Sequence, residues 1–326
     1  MSRIIAACCS LYLLIVLAAW LLLYAGDLWW PATYLLFSPR WVLAIPLIPL
    51  AVAAACWRRR SLIAVLLTLL LVLGPVMGFQ IPWRAALSSP PPGTRVRVLT
   101  CNMHAQKPLQ SAWERLLAET DPHIVAVQEL TQGKIDYFSG GQWHVHEEEG
   151  LFLASRYPIR RDVALGDDSY KGPGKLMRYE VETPAGVVVL FSLHFASPRE
   201  GLKDTTEDPE AGFVELVENS EVRWEQSKDL VRLLDKETRP VLVVGDFNTP
   251  TESALFRRVW GRYTDSFLAA GWGWGYTFLG KSTTVRIDHI LSGPGWHCER
   301  CWVGPYVGSP HHPVLADLIL MQSGQE

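Results

Sequence analysis

The run Pro240-Val241-Leu242-Val243-Val244-Gly245-Asp246-Phe247-Asn248 holds four aliphatic residues between a proline and a Gly-Asp-Phe-Asn ending. Four apolar residues in a row, with no polar one alternating in to meet water, predict a strand buried on both faces. The strand then delivers an Asp and an Asn, groups a core strand has no packing reason to carry. Taken alone, Asp246 has a plain explanation, an Asx-turn ahead of Pro250. The same kind of ending recurs along the chain, however. Val96-Arg97-Val98-Leu99-Thr100-Cys101 runs into Asn102, and Ile124-Val125-Ala126-Val127-Gln128 ends at Glu129. The apolar run 187–193 ends at His194, and Arg286-Ile287 leads to Asp288-His289. Ser309-Pro310-His311-His312-Pro313 precedes the last apolar run. Polar groups gathered on strand ends are how a rigid sheet builds a reaction centre.

Outward from these endings, strands are expected at 96–99, 124–127, 151–154, 187–193, 241–244, 285–290 and 314–320. Helical spacing appears at 111–119 and at 213–237, where Val222, Leu230, Leu233 and Leu234 share a face. Residues 197–210, with Pro, Gly and acidic side chains, read as a long loop near the site. Alternating strands and helices predict a layered α/β domain over 96–322, set off by the Pro-rich linker 88–95.

Hydrophobic residues make up 49% of the 326 residues, and they are concentrated in the first 87. Up to Ser89 the only acidic residue is Asp27, against six basic ones: Arg3, Arg40, Arg58, Arg59, Arg60 and Arg84. Removing these from the totals of 30 Lys and Arg and 33 Asp and Glu leaves 24 and 32, an acidic domain behind a basic, apolar leader. Such a charge argues against sequence-independent duplex binding, which rests on neutralising phosphates. Three uncharged runs, 4–24, 41–57 and 61–80, approach or reach the ~20 residues a membrane-crossing helix needs. Trp20, Trp29, Trp30, Tyr34, Trp57 and Trp83 cluster at their edges, as interfacial aromatics do. Arg58-Arg59-Arg60 is the densest positive turn, so it is expected in the cytoplasm and everything after Gln80 outside. Cys298 and Cys301 form a C-x-x-C without a second pair for zinc, and are either bonded or unpaired on a strand.

Together, Gly245-Asp246-Phe247-Asn248, Gln128-Glu129, Arg286-Ile287-Asp288, the terminal Ser-x-His-x-Pro and Arg223-x-x-Gln226 resemble the endonuclease/exonuclease/phosphatase (DNase I-like) superfamily, in its membrane-anchored bacterial form. The resemblance implies a four-layer α/β sandwich, here preceded by about three transmembrane helices. It implies a divalent ion, Mg²⁺ or Mn²⁺, held by Glu129 with help from Asn102, both oxygen donors suited to a hard cation. His311, oriented by Asp288, would be the general base or phosphate-polarising imidazole. Asp246 would align or deprotonate the attacking water, while Asn248 and His194 would donate to the phosphoryl oxygens. Pro310 departs from the family pattern, which has Asp there, and leaves that group's share in the metal or water without a carrier.

For substrate, the spans favour a membrane lipid or lipid-linked phosphate: a phospholipid headgroup or a polyprenyl pyrophosphate, hydrolysed outside the cytoplasm by a multi-pass membrane protein. An anchored nuclease acting on extracellular DNA or RNA is the alternative, with Gly271-Trp272-Gly273-Trp274-Gly275-Tyr276 as a stacking loop. The same loop also suits a headgroup layer or plain packing. A binding module that has lost activity is the third reading, supported only by Pro310.

Overall fold

The computed structural model describes residues 1–161, 175–280 and 283–321. The expected domain end at 322 lies just outside them. α1 (Ser2–Leu23) is one uninterrupted helix. α2 (Trp30–Phe37) carries Pro31 in its first turn, where a missing N–H costs nothing. α3 (Leu47–Trp57) and α4 (Leu62–Leu71) follow, and α4 runs on into a π-turn at Val72–Val76 that accommodates Pro75. Three stretches are long and apolar enough to cross a membrane: Ser2–Leu23, Arg40–Trp57 and Arg59–Val76. Their two ends differ. At one, Arg58 donates to Ser2 Oγ at 3.2 Å beside the arginine turn. At the other, Asp27 and Arg40 meet the remainder of the chain, at Arg223 and Glu252.

That remainder begins with α5 (Trp83–Leu87) and β1 (Gly93–Asn102), so the strand starts inside the stretch expected to be linker. It continues through α6 (Gln110–Thr120), β2 (Ile124–Gln128), β3 (His144–Glu148), β4 (Leu151–Ser155), β5 (Ile159–Arg161), β6 (Lys175–Thr183) and β7 (Gly186–His194). Then come α7 (Arg199–Glu207), α8 (Pro209–Leu234), β8 (Val241–Asp246), β9 (Thr264–Asp265), α9 (Ser266–Ala270), β10 (Phe278–Leu279), β11 (Thr284–Val285), β12 (Asp288–Ser292), β13 (Trp296–Val303) and β14 (Val314–Met321). One sheet has the order β13-β14-β1-β2-β4-β3 and the other β5-β6-β7-β8-β12-β9. Val98, Ile124, Leu190, Val244 and Ala316 belong to the core between them. Trp113 and Leu117 of α6 cover the outer face of the first sheet, and Leu230 and Leu234 of α8 that of the second. The result is the four-layer sandwich, helix on sheet on sheet on helix.

Three expectations need correction. Residues 199–207 form a helix, not a loop. Gly201, counted there as a loop residue, is a contact point with a Cβ position 3.0 Å from Leu216 N, and a Cβ on Gly212 of α8 would stand 2.3 Å from Thr205 N, so the two helices leave no room for a side chain at Gly212. The single strand expected over 285–290 is broken at Arg286-Ile287, where the Ile287 and Asp288 amides both donate to Thr277 Oγ1 at 3.1 Å. Helix 213–237 starts earlier, at Pro209, with the Asp208 side chain accepting from the Ala211 amide. Cys298 and Cys301 are unpaired and buried on β13. A register shift between Cys298 and Arg300 inserts one residue, so both sulfurs face the core although three positions apart.

Candidate active site

Strand register alone assembles most of the site. Asn102 pairs with Gln128 across β1 and β2, which sets it beside Glu129. In the other sheet Asp246 faces His194 on one side and Asp288 on the other. Packing the sheets face to face closes the gap: the Asn102 amide donates to Glu129 Oε1 at 2.9 Å and to Asp246 Oδ2 at 2.8 Å. Its own Oδ1 accepts from the His104 amide at 2.7 Å. Asn102 therefore binds the carboxylates of two sheets together.

Local backbone conformation aims the groups. Gly245 has φ +136°, and a Cβ there would lie 2.0 Å from the Leu193 carbonyl oxygen, so only glycine can precede Asp246. Glu129 (φ 50°) and Asn248 (φ 48°) adopt the left-handed region. For Asn that is mild; for Glu it is strain of the kind that gathers at functional sites. Asn248 is held by its amide N–H to Asp246 Oδ1 at 2.8 Å and by its side chain donating to the Phe195 carbonyl at 2.9 Å. His194 Nε2 lies 3.3 Å from Glu129 Oε1 and 3.8 Å from Asp246 Oδ2.

His311 Nδ1 sits 2.9 Å from Asp288 Oδ2, and Nε2 lies 3.9 Å from Asp246 Oδ2. Burial works against its charged form, but the Asp288 charge and hydrogen bond, helped by Asp246, raise its pKa to about 9. The group is an imidazolium at neutral pH. Burial and the neighbouring Asp288 charge push the Asp246 carboxyl up. Burial would raise Glu129 too, but His194 and the Asn102 hydrogen bond hold it below the usual carboxylate range. The terminal motif is fastened by Ser309 Oγ donating to the Asn102 carbonyl at 2.6 Å and Leu279 N–H donating to the Pro310 carbonyl at 3.0 Å. Pro310 thus serves the β10–β11 hairpin and offers no carboxylate. His312 faces away, with Nδ1 3.0 Å from the Gly304 carbonyl.

Several neighbours escaped the sequence reading. His104 stands beside His311, ring centroids 5.7 Å apart, and its Nδ1 accepts from Arg199 at 2.9 Å. Burial and the Arg199 charge lower its pKa to about 4, so it is neutral. Its signal was present, a histidine two residues past a polar strand end. Asp265, Arg286 and His289 form a buried brace around Asp288: Arg286 Nη1 and His289 Nδ1 lie 2.8 and 3.0 Å from Asp265 Oδ2. Burial opposes the Asp265 charge, yet Arg286 and His289 depress its pKa well below the usual range. The site opens into a cleft of about 440 Å³. His194, Asp246, Asn248 and His311 line one side, and Tyr34, Phe37, Ser38 and Pro39 from the segment joining the first two spans line another. A cavity of about 500 Å³ between that segment and α8 holds Asp27 and Trp224 but none of the strand-end groups.

The donor set fits a divalent ion. Asp246, Asp288 and His311 present ligand atoms within 4.8 Å of one another, and Asp288 Oδ1 is buried without a hydrogen-bond partner. Two buried carboxylates whose charges oppose each other are what a cation relieves. His311, engaged by Asp288 and protonated, is the poor ligand of that group, which leaves the oxygens.

A two-sheet sandwich with an acid–imidazole edge places the chain among phosphoester hydrolases. More narrowly, it belongs to the Endonuclease/Exonuclease/phosphatase family, whose model matches residues 99–311. Solved structures share the fold. C. elegans TDP2 superposes with a TM-score of 0.51 at 16% identity, over 72% of this chain and 78% of that one. Humanized D. rerio TDP2 gives 0.50 at 14%, over 69% and 98%, and an endonuclease/exonuclease/phosphatase from Bacteroides vulgatus 0.50 at 17%, over 70% and 99%. No curated protein matched the sequence.

Proposed function

We propose that this hydrolase is membrane-anchored, depends on Mg²⁺ or Mn²⁺, and acts outside the cytoplasm on a lipid-linked or headgroup phosphoester. One observation carries the substrate: the segment joining the first two spans is a wall of the catalytic cleft. A phosphoester on a lipid reaches that wall from the bilayer. Outside placement follows from the arginine turn at the far end of the spans, because positive loops stay cytoplasmic.

Glu129 and the neighbouring carboxylates would hold the ion, with Asn102 positioning them. When bound, the ion neutralises charge gathering on the phosphoryl oxygens. His194 and Asn248 donate hydrogen bonds to those oxygens. Water's oxygen bonds to phosphorus as the bond to the leaving oxygen breaks. Asp246, with its raised pKa, takes the water's proton, and the His311 imidazolium supplies one to the leaving oxygen. Hydrolysis of nucleic acid is the second reading, favoured by Arg199 and Lys203 at the cleft rim. The test is a panel assay of the purified full chain against lipid phosphates and single-stranded DNA, with Mg²⁺ or with chelator. Turnover of lipid ahead of DNA is expected, and the reverse order refutes the lipid assignment.

A further inference from the structure

We infer that the segment joining the first two spans selects the substrate, and selects one whose scissile phosphate is borne directly on a hydrocarbon chain. This rests on the lipid reading above and narrows it from phospholipid headgroups to alkyl or polyprenyl phosphates. Apolar packing runs without a break from the end of α1 to the imidazole. Leu23, the last residue of α1, packs in one cluster with Leu36, Phe37, Val285 and Ile287, and Phe278 packs against that cluster. Phe278 in turn sets its ring against His311, centroids 4.9 Å apart and tilted 61°. Phe37, Phe278, Val285 and Ile287 also line the cleft, beside the exposed ring of Tyr34.

Apolar side chains therefore come within one ring of the reacting centre on the side facing the spans. A substrate with a glycerol, sugar or choline group between chain and phosphate would set polar atoms against Phe37, Phe278, Val285 and Ile287, whose side chains return no hydrogen bond. A phosphate attached to the chain itself sets methylenes there instead. Arg199, hydrogen-bonded to His104, also lines the cleft and suits whatever charged group the phosphate carries away from the chain. Among the described residues no carboxylate lines the apolar wall, so its preference is for hydrocarbon rather than for a cationic headgroup.

The experiment measures kcat/KM of the full chain in nanodiscs for alkyl phosphoesters of increasing length, a glycerophospholipid and single-stranded DNA. Burying each added methylene contributes ~0.8 kcal/mol, so two or more further buried carbons should raise kcat/KM by about tenfold or more. Tyr34→Ser and Phe37→Ala should flatten that rise to less than about threefold. Tyr34 is exposed, so its variant keeps the test valid where Phe37→Ala unfolds, which thermal melting reports. A rise that both folded variants retain overturns the role of the wall and leaves the lipid reading standing. A glycerophospholipid turned over as fast as the long-chain phosphoester overturns the direct attachment. Wild-type protein without any chain-length rise, and faster on DNA, sinks the lipid reading itself.

Discussion

Asp27, the one acidic residue of the apolar leader, accepts a hydrogen bond from Arg223 of α8 at 2.6 Å, and neither side chain reaches solvent. Ser220 Oγ donates to the same carboxylate, and Trp224 Nε1 donates to the Asp27 carbonyl at 2.8 Å. A second tie lies at the start of the next span, where Arg40 meets Glu252 at 2.6 Å and the Val76 carbonyl at 2.8 Å. Burial opposes the Glu252 charge, but Arg40 holds its pKa down. The apolar N-terminal helices and the catalytic domain are thus joined by buried charges, which fixes the cleft at one end of those helices.

Breaking a buried pair leaves an uncompensated charge, at a cost of about 3–5 kcal/mol. Asp27→Ala should destabilise the full chain by that order in thermal unfolding in detergent. Asp27→Leu combined with Arg223→Met should cost less than either single change, because no lone charge remains. A melting temperature unmoved by Asp27→Ala would show that the pair does not fasten the domain.

Topology gives the next prediction. A cysteine replacing Arg59 should react with an impermeant thiol reagent only after the membrane is opened, whereas one replacing the exposed Leu87 should react in intact cells. Labelling in the opposite pattern would put the catalytic domain inside.

For the metal, Glu129→Gln should weaken Mn²⁺ binding, followed by calorimetry, by at least about tenfold. Loss of an outer-shell partner alone costs 10–100-fold, and a ligand should cost no less. Unchanged affinity would shift the ion to Asp246 and Asp288.

How much of this was legible in the sequence follows from what kind of signal each residue leaves. Glu129, Asp246 and His194 stood out because each closes an apolar run, and the strand carries them to one edge whatever the surrounding fold. Strands β3, β6 and β13 were not visible, because half-exposed strands such as His144–Glu148 carry mixed polar patterns that resemble loops. Helix α7 hid for the opposite reason: its glycine, Gly201, is spent on contact with α8, a tertiary cause that no local pattern announces. Asp27 appeared only as an oddity of composition. That its partner would be Arg223, 196 residues on, is a fact of packing.

The raised His311 pKa predicts a pH dependence with a definite sign. Its folded value of about 9 exceeds the unfolded value of about 6.5. The stabilisation is therefore complete below about pH 6.5 and is lost as pH rises through about 9. NMR of the metal-free protein should find this imidazole titrating near the upper value, and Asp288→Asn should move it downward. An imidazole titrating near 6.5 in both proteins would remove Asp288 as its partner.

If Asp288 and His311 act as one unit on the phosphoester, a double-mutant cycle on Mg²⁺-dependent turnover will show it. His311→Ala should lower kcat by at least about 10²-fold, the low end for general acid–base catalysis. Asp288→Asn should cost a comparable factor, and the double variant little more than either alone, since groups acting together are not additive. His312→Ala, whose ring faces Gly304, should stay within about threefold of wild type, by contrast with the catalytic losses above. Fully additive losses, or a dead His312→Ala beside an active His311→Ala, would contradict the account.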